Sequence, residues 1–66
     1  MTPSQLRTER LARGWSHKRL AAELGVGNPE SYRTVICRLE QGRQVIGAGM
    51  AARLREVFAR VPQNVN

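Results

Sequence analysis

Arg33, Thr34, Cys37, Arg38 and Gln41 fall at i, i+1, i+4, i+5 and i+8, and on a helix those offsets make one continuous outward strip. Most of the strip consists of hydrogen-bonding side chains. Arg33 and Arg38 carry the planar fork that pairs with O6 and N7 of guanine. Thr34 suits a thymine methyl or a phosphate, and Gln41 a phosphate or a late base contact. Tyr32, at the start of the same helix, can stack on a sugar or donate to phosphate, and Cys37, small and weakly polar, can touch a methyl group. A second set, Ser16, His17, Lys18 and Arg19, opens the preceding helix, and Arg43 follows the later one. These suit phosphate oxygens, which fix register rather than sequence. The chemistry implied is recognition of base edges and phosphates.

Composition points the same way. The chain has 66 residues and a net charge of +6, and of its 11 basic residues only Lys18 is lysine, leaving ten arginines. Arginine binds phosphate and guanine bidentately, whereas a merely solvated basic surface could as well be lysine. Other chemistries find little support. One histidine, one cysteine and no clustered Asp or Glu supply no acid-base or metal set, so neither an enzyme, a metal nor a cofactor is expected. Cys37 has no second cysteine to pair with, which suits a reducing, cytoplasmic setting, and nothing motivates a redox role for it. The apolar runs are only a few residues long, so no signal peptide or membrane span is expected. Trp15, Tyr32 and Phe58 do not form a stacking platform for single-stranded RNA.

Four helices position these residues. Thr2, Pro3 and Gln5 read as an N-cap, a proline at N1 and the far side of a capping box, starting a helix that runs to about residue 13 and ends at Gly14. Its inward face offers Leu6 and Leu11, with Ala12 beside them, and Trp15 folds back on its end. Ser16 caps a second helix carrying Leu20, Ala21 and Leu24, and Gly25 ends it. The third helix starts at either Asn28 or Ser31, with Asn28 and Pro29 the slightly better signal, and stops at Gly42. Ile36 and Leu39 point inward. After a linker with two glycines, a fourth helix spans about residues 48–60, with Met50, Leu54, Val57, Phe58 and Val61 on its apolar side. Arg53, Arg55 and Arg60 lie on its other side, Pro62 stops it, and residues 63–66 are expected to fray. The fold expected is all-α, a compact bundle of four to five short helices in one domain over residues 1–62. A chain of this size buries only about 60% of its unfolded surface, so the core is marginal.

The run LRTERLARGWSHKRLAAELGV followed by TVICRLEQGR resembles the helix-turn-helix of the lambda Cro and repressor family, small phage and bacterial transcription regulators. The matching features are Leu6, the segment 10–14, Leu20 with Ala21, Leu24-Gly25-Val26, and Ile36 and Leu39 followed by Glu40, Gln41, Gly42 and Arg43. The resemblance implies a buried ion pair between Arg10 and Glu40, which gives a reason for a charge beside the apolar face of the first helix. It also implies a homodimer on an inverted-repeat operator of double-stranded DNA, with half-sites roughly 34 Å apart. Phe58, Val61 and Met50 are the expected dimer surface, the alternative being that these residues complete the monomer core, which is favoured for Met50 and Leu54. Two features depart from the family pattern. His17 stands where the family usually has glutamine, and about five residues, 27–31, are extra between the two helices. The function expected is a homodimeric repressor or autoregulator, since the chain has no room for an effector domain. An antitoxin that holds a toxin while binding its own operator is the less favoured alternative.

Overall fold

Local capping signals set the helix starts. In the computed structural model, which describes residues 1–61, the helices are α1 (Pro3–Ala12), α2 (His17–Glu23), α3 (Pro29–Glu40) and α4 (Ala48–Arg60). The tail expected to fray, 63–66, and the proline stop at 62 lie outside the described residues. No strand occurs among those residues. No helix among them is long and apolar enough to cross a membrane.

Thr2 closes the capping box with Gln5 in both directions, at 2.9 and 3.1 Å, with Pro3 at the first helical position. At the other end of α1, Gly14 adopts φ 69°. The N–H groups of Gly14 and Trp15 return to the carbonyls of Leu11 and Arg10. That pair of bonds is a Schellman motif, and it turns Trp15 back onto the core. Ser16 caps α2 by accepting the Arg19 N–H at 3.0 Å. The two competing starts of α3 are settled in favour of Asn28, whose Oδ1 accepts the Ser31 N–H at 3.3 Å while Pro29 occupies N1. A second Schellman motif closes α3, with Gly42 at φ 76° and the Arg43 N–H on the Arg38 carbonyl.

One core gathers residues from all four helices. Leu6, Leu20, Ala21, Ile36, Leu39 and Leu54 are almost wholly removed from solvent, and Trp15, Leu24, Ala51, Val57 and Phe58 surround them. Ala21, fully buried on α2, is small enough to let α3 pack closely. Leu11 departs from expectation: it is 53% exposed. It sits five residues beyond Leu6, about 140° around the helix, whereas Arg10 at i+4 and Arg13 at i+7 share the Leu6 face. The inner face of α1 is thus completed by arginine stems rather than by a second leucine.

Those arginines find their partners in the main chain. Arg13, its side chain 5% exposed, donates to the carbonyls of Glu9, Phe58 and Val61, and so ties α1 to the C-terminal end of α4. Its guanidinium lies 4.6 Å from the Phe58 ring centroid and 6.0 Å from that of Trp15. From α4, Arg53 and Arg60 reach the carbonyls of Leu24 and Glu23 at 2.6 and 3.1 Å, the last acceptors of α2. Cations at these ends satisfy orphan carbonyls and complement the helix dipole.

Candidate nucleic-acid interface

The outer face of α3 is organised by its inner one. Ile36 and Leu39 are buried, and Tyr32, at i−4 from Ile36, lies on the same stripe and packs against the core. Tyr32, expected among the contacts of this helix, is thus half-buried against the core. The 3.6-residue repeat then turns Arg33, Thr34, Arg38 and Gln41 to the opposite side, where all four are exposed, with Cys37 half-buried among them. The arginines that head the expected recognition strip are not drawn inward.

Behind the strip, α2 packs on α3 and sets its start beside the first turns of that helix. Between them runs an open groove of about 380 Å³, lined by Ser16, His17 and Lys18 from the start of α2 and by Glu30, Arg33, Thr34 and Cys37 from α3. Of the expected phosphate set, Ser16, His17 and Lys18 meet at this groove. Arg19 is turned elsewhere: it bonds Glu23 at 3.1 Å and lies 5.7 Å from the Trp15 ring centroid, and it is not among the groove residues. Arg43 is exposed just past the second Schellman turn.

The resemblance's ion pair is present. Arg10 Nε and Nη2 grip both carboxylate oxygens of Glu40 at 2.6 and 3.0 Å, and Nη1 donates to the Trp15 carbonyl at 2.6 Å. Their side chains are 9% and 6% exposed. This fork joins α1, the loop before α2 and the last turn of α3. It thereby fixes the angle at which the α3 strip is presented. His17 Nε2 approaches the same carboxylate at 3.4 Å while the ring remains 37% exposed, so His17 bridges the buried pair and the groove. Among the described residues, no buried side-chain nitrogen or oxygen lacks a partner.

Two residues of this surface were not in the expected set. Arg7, one turn ahead of Arg10, is exposed and lines a second cleft with His17, Cys37 and Gln41. Its spacing of three from Arg10 carried that information. Glu30 sits in the first turn of α3, with Oε1 2.8 Å from Arg33 Nε and Oε2 3.3 Å from Lys18 Nζ. Its place between two cations depends on tertiary packing, since Lys18 comes from α2.

The expected dimer surface is redistributed. Phe58 is 6% exposed within the monomer, stacked near Trp15 with centroids 6.3 Å apart. Met50 and Val61 are half-buried against the same core. They stand at opposite ends of α4, about 16 Å apart at 1.5 Å per residue, so the three do not form one exposed patch. The described residues contain no cluster of three or more His, Cys, Asp or Glu placed to hold a metal.

Compared with known protein families, with characterised proteins and with solved structures, the chain has no match.

Proposed function

We propose that this chain is a sequence-specific double-stranded DNA-binding regulator of the lambda Cro and repressor type. In this reading it acts as a homodimeric, cytoplasmic repressor or autoregulator of a small phage or bacterial operon. The observation that carries the reading is the division of α3. One face is locked into the core by Tyr32, Ile36 and Leu39, and the other presents Arg33, Thr34, Arg38 and Gln41 to solvent. A rigid helix with two exposed arginines on one side is the element that enters a major groove, while the start of the preceding helix holds the backbone.

Arg33 and Arg38 take guanine edges; Thr34, Cys37 and Gln41 complete the reading strip. Ser16, His17, Lys18, Arg43 and Arg7 hold phosphates. If about six phosphates are engaged, log K falls against log salt with a slope of about −5. A single half-site binds weakly at physiological salt, so two copies read an inverted repeat. No catalytic step is assigned to the chain.

The test is a binding assay on duplex DNA from the region upstream of the chain's own gene, with Arg33→Ala and Arg38→Ala beside wild type. The expected result is a clear preference over scrambled duplex that each substitution weakens. Equal affinity for scrambled duplex would sink the reading.

A further inference from the structure

Glu30 is an acidic group in the first turn of α3, between two cations. Its carboxylate is held from both sides, by Arg33 at 2.8 Å within α3 and by Lys18 at 3.3 Å from α2. Side-chain exposures of 56% for Glu30, 58% for Arg33 and 62% for Lys18 place all three at the surface, where such pairs contribute little to folding. The fold does not require them. What they fix is the direction of a carboxylate at the mouth of the α2–α3 groove.

Against a duplex, a carboxylate there has few favourable positions. Phosphate oxygens repel it, and the acceptor atoms N7, O6 and O4 repel it as well. The exocyclic N4 amine of cytosine is the major-groove donor that Glu accepts from, whereas the N6 donor of adenine stands beside the repelling N7. The heads of Glu30 and Arg33 are 2.8 Å apart, within one base-pair rise of about 3.4 Å. The two side chains therefore address the same or adjacent base pairs.

We propose that Glu30 is a specificity-determining residue that accepts a hydrogen bond from cytosine N4 in the major groove, within one base pair of the guanine read by Arg33. This rests on the DNA-binding reading above. Lys18 and Arg33 neutralise the carboxylate on approach to the phosphates, and Arg33 leaves its ion pair only where guanine replaces the lost partner. The unit therefore favours C and G together and penalises duplexes that offer neither.

The experiment is enrichment of sites from a randomised duplex library by wild type, Glu30→Gln and Glu30→Ala, each verified as folded by its thermal melt. Wild type is expected to enrich a cytosine at one position beside a guanine. Glu30→Gln should shift that position toward adenine, since glutamine pairs with N6 and N7 of adenine, and Glu30→Ala should lower the cytosine preference about tenfold while keeping the rest of the site. Identical base preferences for all three proteins overturn the proposal, as does a uniform gain in affinity of Glu30→Ala for every duplex, which would make Glu30 a purely electrostatic brake. If wild type itself enriches no sequence, the regulator reading fails and this inference fails with it.

Discussion

Eight of the ten arginines fall into two populations that composition alone does not distinguish; Arg19, paired with Glu23, and exposed Arg55 belong to neither. On the side where α1 meets α4 and the ends of α2 and α3, Arg10, Arg13, Arg53 and Arg60 are spent on Glu40 and on main-chain carbonyls. On the α2–α3 face, Arg7, Arg38 and Arg43 are exposed, and Arg33 is engaged only by the exposed Glu30. The same residue type is mortar in one region and reading head in the other. What the guanidinium bonds decides which: Arg10 and Arg13 are buried or half-buried, and exposed Arg53 and Arg60 end on the carbonyls of Leu24 and Glu23. A guanidinium held by internal acceptors is turned away from a ligand, and removing it leaves those acceptors without that bond. An exposed one with no main-chain acceptor contributes little to the fold and keeps its donors for a ligand.

The sharpest way to break the comparison is at Arg10. Arg10→Ala strands the Glu40 carboxylate at 6% exposure and is expected to cost about 3 to 5 kcal/mol, enough to abolish a cooperative thermal transition in a domain this small. The double variant Arg10→Met, Glu40→Leu removes both charges and should recover most of that loss, as read by circular dichroism. If Arg10→Ala melts like wild type, the fork does not hold the bundle together.

Arg13→Ala comes next. It frees the carbonyls of Phe58 and Val61 and strips a guanidinium from the Phe58 ring, with an expected loss of about 2 kcal/mol in urea unfolding. Well below the transition its DNA affinity should match that of wild type. Arg38→Ala is the reverse case. Stability stays within about 0.5 kcal/mol, while affinity for the best duplex falls roughly tenfold to a hundredfold. Arg53→Ala, which removes one bond to the Leu24 carbonyl at the end of α2, is the smallest, at about 1 kcal/mol in unfolding with unchanged DNA binding. A stability loss for Arg38→Ala as large as that for Arg13→Ala would merge the two populations.

What the sequence disclosed follows from how local each signal is. Caps and stops act within four residues, so Thr2 with Gln5 and Ser16 could be read directly, while Asn28 with Pro29 was only the slightly better of two starts. The glycine ends at Gly14 and Gly42, where positive φ is required, could be read directly too. The 3.6-residue repeat was also sufficient to put Arg33 and Arg38 outside, and the spacing of Tyr32 from Ile36 and Leu39 accounts for its half-buried place against the core. Arg10 with Glu40 became legible only through resemblance, because thirty residues separate the partners. The destinations of Arg13, Arg53 and Arg60 were not legible. Each caps a carbonyl that tertiary packing brings near, and nothing in a one-dimensional pattern says which helix end will arrive. Leu11 and Phe58 were misjudged for a related reason. Hydrophobicity does not say which face the arginine stems have already filled, or that Phe58 is needed under Arg13 and Trp15.

The most direct test of the two-population account is a titration of the ¹⁵N-labelled protein with duplex DNA, following backbone amide and arginine Nε–H resonances together. The account predicts that the resonances of Arg33, Arg38, Arg43 and Arg7, with the amides at the start of α2, shift first and most. The Nε–H signals of Arg10, Arg13 and Arg53 should stay in place. Shifts centred on Arg13, Arg55 and the α1–α4 side, with the α3 strip unmoved, would contradict it.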